Sequence, residues 1–90
     1  MFLGRVIGTV WSTKKDENLV GAKFLIVREL SLELKAKERF VVAVDSVGAG
    51  EGEVVLVATG SSSRMTSFTK DKPVDAVIMG IVDTLDVSDK

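Results

Sequence analysis

The sequence predicts an all-β domain, a small closed barrel of five strands paired mainly antiparallel. Three observations carry that expectation. The 90-residue chain holds five segments rich in Val, Ile, Leu or Phe, each bounded by Gly, Ser, Asp or Lys clusters. The spacers between them are mostly too short for the helical crossovers, about a dozen residues or more, that parallel winding needs. The later segments are apolar on both faces, whereas an open antiparallel sheet with one wet side alternates apolar with polar.

The first segment, 2–12, places Gly4 and Gly8 on one face with Val6 and Val10, where glycines let a barrel strand bend. The second, 22–30, is built around Leu25-Ile26-Val27. Glu and Lys in the next connection, 31–38, permit a helix, but its apolar residues Leu32, Leu34 and Ala36 recur at a spacing of two. That spacing reads as an irregular hairpin connection. The third segment, 39–47, leads into the glycines of 48–52 and then the fourth, 53–60. There Val54, Leu56 and Ala58 point one way and Val55, Val57 and Thr59 the other. Only the spacer 61–73 holds a plausible two-turn helix, capped at Ser61 or Ser62. The fifth segment, 74–83, sets Ala76, Ile78 and Val82 opposite Val77, Met79 and Ile81, also inside the strand with Gly80 as a bend or close-approach position. One domain over 1–83 followed by a polar tail, 84–90, is the expected organisation.

Composition narrows the function. No His and no Cys means no disulfide, no thiolate nucleophile, no Cys/His zinc site and no imidazole acid-base chemistry. Twelve basic against thirteen acidic residues leave a net charge of −1, which marks neither a nucleic-acid stripe nor a polybasic anchor. Met1-Phe2-Leu3 lacks the features of a secretory signal, and no apolar run approaches the roughly 18–20 residues of a membrane span, so a cytosolic chain is expected. Yet 46% of residues are apolar, more than a domain this small hides alone, since it buries only about 60–65% of its unfolded surface. Association is therefore expected: closing the sheet covers one strand face, and neighbouring subunits cover parts of the other.

Several motifs suggest chemistry and fall short of it. Gly48-Ala49-Gly50-Glu51-Gly52-Glu53 is glycine-rich like a phosphate loop, but its spacing matches neither nucleotide fingerprint, a strand follows it, and its two carboxylates repel phosphate. A tight strand connection explains those glycines. Asp45, Asp75 and Asp83 stand at or inside strand ends, where a carboxylate pair with split pKa values does acid-base work and where a single Asp bonds turn backbone. Gly60-Ser61-Ser62-Ser63-Arg64 offers hydroxyls without a histidine or a nucleophile elbow, so helix capping and an anchoring role for Arg64 account for it. A single-strand nucleic-acid module of the barrel type is the rival reading. Its aromatics, Phe2, Trp11, Phe24, Phe40 and Phe68, are scattered, and Lys14-Lys15 is offset by Asp16-Glu17.

Taken together, the blocks resemble a known family. Gly8-Thr9-Val10-Trp11-Ser12-Thr13-Lys14-Lys15 and Leu19-Val20-Gly21-Ala22-Lys23-Phe24-Leu25-Ile26-Val27 resemble the amino-terminal half of the EutN/CcmL vertex proteins of bacterial microcompartments. Val42-Ala43-Val44-Asp45-Ser46-Val47-Gly48-Ala49-Gly50, Gly52-Glu53, Gly60-Ser61-Ser62-Ser63-Arg64, Pro73-Val74-Asp75-Ala76 and Gly80-Ile81-Val82-Asp83 follow that family's signature blocks in order. Trp11 stands where a small aliphatic residue is commoner, Ser63 where Ala is more usual, and the 31–38 connection has its own composition.

The resemblance implies a five-stranded OB-like barrel with one short helix after the fourth strand, assembled as a ring of five. Such rings cap the vertices of polyhedral shells beside hexameric facet proteins. It implies a structural protein with no catalytic residue, cofactor, metal, nucleic acid or membrane partner. It also implies that Ser46, Val47, Gly48, Ala49 and Gly50 lie near the ring axis, and that Gly60, Ser61, Ser62, Ser63 and Arg64 form a corner that sets the subunit contact.

Overall fold

All five apolar segments become strands. These are β1 (Phe2–Val10), β2 (Phe24–Leu30), β3 (Ala36–Asp45), β4 (Val54–Thr59) and β5 (Ala76–Ile81), in a computed structural model that describes residues 1–12, 15–60, 63, 69 and 74–88. They close into a barrel in the order β1-β2-β3-β5-β4, with β4 pairing back to β1. Every pairing is antiparallel except β3 with β5, which touch only at Val44–Val77 and Asp45–Ile78. Of the spacer 61–73, where a helix is expected, only Ser63 and Thr69 are described; Ser63, like Gly60 before it, is in 3-10 conformation, and the rest of that expectation falls on residues outside those described. A 3-10 turn at Glu17–Leu19 is one the sequence did not announce. Asp16 caps it by accepting from the Asn18 amide at 2.8 Å.

β3 starts three residues earlier than the composition suggests. The hairpin turn before it is only 31–35, closed by the Ser31 amide donating to the Lys35 carbonyl and the Leu34 amide to the Ser31 carbonyl. Leu34 sits there at φ +62, a left-handed conformation with no glycine to advertise it.

Strand faces differ from simple alternation because two bulges shift the phase. Val6 pairs with Val27 and Gly8 with Ile26, so Ile7 is an extra residue in β1. Gly4 and Val6 therefore face inward while Gly8 turns outward, not onto the shared face expected. In β5 the extra residue is Met79, because Leu56 faces Gly80 and Val57 faces Ile78. Ile81, rather than Val82, consequently packs against the core with Ala76 and Ile78. Both extra residues are pushed out, leaving Ile7 42% and Met79 37% exposed.

Inside the barrel Val6, Leu25, Val27, Ala43, Val55, Val57 and Ile78 form the main core. Gly4 is required here by close approach: a Cβ would overlap Val27 Cγ1 and come within 3.0 Å of the Arg28 carbonyl. Gly80 has open space around it, so neither contact nor backbone conformation demands glycine there.

The second faces of β3, β4 and β5 are covered in part from within the chain, at Val44, Ala58 and Val77, more than the expectation that such cover must come from neighbours allowed, while Phe40 and Val42 on the same face of β3 stay exposed. Val44, Ala58, Val74 and Val77 form a second buried cluster, against which Leu19, Ala22 and Phe24 pack. The turn at 17–22 thus folds back as a lid over strand surface that would otherwise need a neighbour.

Candidate functional site

Among the described residues, the glycine-rich loop between β3 and β4 is a heavily pinned irregular segment. Asp45 Oδ1 accepts from the amides of Val47, Gly48 and Ala49, each at 3.1 Å. Its carboxylate is committed to turn backbone, the role an Asp at a strand end commonly takes. Ser46 Oγ donates to the Ile78 carbonyl at 2.7 Å, fastening the loop to β5. On the other side the Gly50 amide donates to Glu53 Oε1 at 2.6 Å, and Lys23 Nζ reaches the Ala49 carbonyl at 3.0 Å. Gly52 then exchanges with β1, its amide donating to the Val6 carbonyl and its carbonyl accepting from Arg5.

These bonds decide which loop atoms face out. Ala49 is 1% exposed and belongs to the barrel core, so its side chain is no part of the outer surface. Ser46, Val47 and Gly48 are exposed, with Gly48 at φ +80 and open space beyond its Cα. Gly50 is half-buried, and a Cβ there makes ordinary contact with Glu53.

At the corner after β4, the Gly60 amide donates to the Asp75 carbonyl at 2.9 Å. Ser63 is wholly buried, with its Oγ 2.6 Å from the Gly60 carbonyl and 2.9 Å from the Val74 carbonyl, so one proton serves two acceptors. Ser63 ties the corner together internally and has no surface of its own to offer a partner. Ser61, Ser62 and Arg64 lie outside the described residues. So do Lys14 and Phe68.

Catalytic groupings do not assemble. Asp75 and Asp83 are exposed while Asp45 is spent on the loop, and among the described residues no three acidic side chains gather into a metal-binding group. Nor do the described aromatics share a stacking face. Phe24 packs in the second cluster, Phe2 lies under the Arg39 guanidinium at 5.0 Å, and Trp11 stands 89% exposed. No helix among the described residues is long and apolar enough to cross a membrane.

Sequence reasoning missed a charged cluster at the β2–β3 hairpin. Glu29 takes Lys37 Nζ at 3.0 Å and Arg39 Nη1 at 3.4 Å. The Lys37 hydrogen bond and the charges of both cations hold the Glu29 carboxyl below its ordinary range. The pairing depends on the irregular register between Arg28–Phe40 and Leu30–Ala36, which spacing along the chain does not announce.

A closed β1-β2-β3-β5-β4 barrel with a tightly bonded β3–β4 loop defines a class, the small OB-like barrels. Within that class, residues 1–83 match the family described as "Ethanolamine utilisation protein EutN/carboxysome", and the chain belongs to this EutN/CcmL family. It is 48% identical to the microcompartment shell vertex protein GrpN of Rhodospirillum rubrum, over 96% of this chain and 97% of GrpN. Identity is also 48% to the carboxysome shell vertex protein CcmL of Synechocystis, over 98% of this chain and 88% of that one. Among solved structures, CcmL of Gloeobacter violaceus superposes with a TM-score of 0.93 at 42% identity, covering 98% of this chain and 91% of CcmL. The pentameric shell protein GrpN superposes with a TM-score of 0.89 at 47% identity, covering 97% and 99%.

Proposed function

We propose that this chain is a structural shell protein that assembles as a pentamer and caps the vertices of a polyhedral microcompartment in the bacterial cytoplasm. The observation that carries the reading is the match along nearly the whole chain to GrpN, a pentameric microcompartment shell protein. Its work is geometric: a ring of five supplies curvature that flat hexameric facet proteins lack, and those hexamers are its partners in the shell. It turns over no substrate and holds no cofactor. The relatives named above give nucleic-acid binding no support, and the described aromatics share no face.

The barrel's own surface supports association. Phe40, Val42, Ile7, Met79 and Trp11 are large apolar side chains left exposed after the chain has covered part of its second strand faces. In the ring, the loop Ser46–Gly50 lies near the axis, with Ser46, Val47 and Gly48 turned outward and Glu51 repeated five times around it. The corner at Gly60–Arg64 shapes the subunit contact, with Ser63 acting from inside. Residues 1–83 form the barrel domain, and 84–90 a separate tail.

Native mass spectrometry tests the ring directly. A pentamer is the expected result, and a stable monomer at micromolar concentration rejects the reading. Co-expression with hexameric shell proteins then reads the partnership: closed polyhedral particles are expected with this chain present, and open sheets or tubes without it.

A further inference from the structure

The hydrogen bonds of the β3–β4 loop sort its main-chain groups by polarity. The amides of Val47, Gly48 and Ala49 converge on Asp45 Oδ1, and that of Gly50 goes to Glu53 Oε1. The Gly52 amide donates to the Val6 carbonyl and the Glu53 amide to the Gly50 carbonyl. Of the amides from Val47 to Glu53, only that of Glu51 is not spent inside the chain among the described residues. Ser46 Oγ gives its proton to the Ile78 carbonyl. Donors are thus used up within the fold. Acceptors are not.

A trans peptide sets its C=O antiparallel to the N–H of the next residue, and among the described residues no peptide bond is cis. Three amides aimed at Asp45 therefore aim the carbonyls of Ser46, Val47 and Gly48 away from it, on three exposed residues. No described residue donates to the Val47 or Gly48 carbonyl, whereas those of Ala49 and Gly52 are taken by Lys23 Nζ and Arg5 Nη1. Charge runs the same way. Asp45, Glu51 and Glu53 bring three carboxylates to the loop against the two cations bonded to it, Lys23 and Arg5. Glu51 is exposed, and no described cation pairs with it. An anion needs outward N–H groups, and the concavity that three successive amides make here is filled by the chain's own Asp45.

We infer that the outward face of this loop, repeated around the ring axis, is an oxygen-lined collar that receives hydrated metal cations and turns anions away. The collar rests on the reading that places 46–50 near the axis, and it names the class of solute that the opening takes. Carbonyl, carboxylate and water oxygens suit hard cations, and rings of such oxygens select cations in pores. One chain brings the untaken carbonyls of Val47 and Gly48 and the Glu51 carboxylate, too few for an ion that takes roughly six or more oxygens. Five chains bring five times as many, so the site is incomplete in a single subunit. Repetition also adds the outward carbonyl dipoles in one sense, since the Asp45 bonds fix the same orientation in every copy.

Paramagnetic ions of opposite charge test the collar by NMR on the assembled protein. Manganese(II), added at one ion per five chains, is expected to broaden the amide signals of Val47 and Gly48 ahead of those at the exposed carboxylates Asp83 and Asp86. Hexacyanochromate(III) at the same concentration is expected to leave Val47 and Gly48 sharp. Equal broadening by both ions, or manganese broadening that begins at Asp83 and Asp86 instead, overturns the collar. Asp45→Ala frees three amides and is expected to let hexacyanochromate broaden the loop; a folded variant that still discriminates overturns the collar. Glu51→Gln, at an exposed position, keeps the fold and is expected to raise the manganese concentration for half-broadening at least threefold, and an unchanged midpoint overturns the collar. Native mass spectrometry of the unaltered chain separates the two readings: a pentamer without selective broadening rejects the collar alone, and a monomer rejects the ring and the collar with it.

Discussion

Two glycines of this chain are needed for different physical reasons, and substitution separates them. At Gly4 the obstacle is space, since a methyl group would enter Val27 and crowd the Arg28 carbonyl. Gly4→Ala should lower stability by about 1–3 kcal/mol, the usual cost of overpacking a core, in chemical denaturation. At Gly48 nothing is near, but φ is +80. Gly48→Ala should cost about 1 kcal/mol through backbone strain alone, whereas Gly50→Ala, with ordinary contacts and no left-handed backbone, should stay within about 0.5 kcal/mol. A loop glycine that the resemblance puts near the ring axis thus also has the role in folding expected of a tight strand connection. Asp45 belongs with it, because three amides that hold the loop's shape converge on one carboxylate oxygen.

Among the elements, β5 shows that a strand can be buried on both faces without a partner subunit. Val77 is fully covered on the face opposite the core, beneath the second cluster. Val77→Ala should therefore destabilise the barrel by about 2 kcal/mol, much as Val57→Ala does from the main core, and should do so at concentrations where no ring forms. Equal melting of Val77→Ala and the unaltered chain under those conditions would mean that neighbours supply the cover. In the β2–β3 hairpin, Glu29 has its pKa depressed by Lys37 and Arg39. A depressed carboxylate adds stability above its unfolded-state pKa, near 4.3, and loses that contribution as pH falls through the folded value. Acid titration followed by carboxyl NMR should place the Glu29 midpoint below those of the exposed carboxylates. Glu29→Gln should remove its share of the stability change below about pH 4.3.

For the molecule as a whole, the apolar surplus divides into two parts. One part is satisfied internally by the 17–22 turn folding over β3, β4 and β5. The other stays outside as Phe40, Val42, Ile7, Met79 and Trp11. If the outer part holds the ring together, Phe40→Glu should shift light-scattering mass from pentamer toward monomer while moving the monomer's stability by no more than about 0.5 kcal/mol, as expected of an exposed position. Unchanged mass would place the subunit contact on another face. Assembly should likewise make thermal stability rise with protein concentration, because binding between folded subunits draws the folding equilibrium with it.

Strand number, strand position and barrel closure were legible in the sequence, because two-sided apolar runs such as Val54–Thr59 and short spacers leave few other ways to hide main-chain polar groups and side chains together. The family was legible too, through glycine and aspartate blocks that keep their order and spacing. Alternation failed at Ile7 and Met79, since a bulge is a disagreement between two paired strands and neither strand carries it alone. The cover supplied by Leu19 and Ala22, the Glu29 cluster and the burial of Ala49 and Ser63 were likewise hidden, for each is a contact between residues far apart in the chain. The sequence by itself determined what had to be buried. Only the tertiary structure decided what buries it, because that depends on register and on which connection folds back over which strand face.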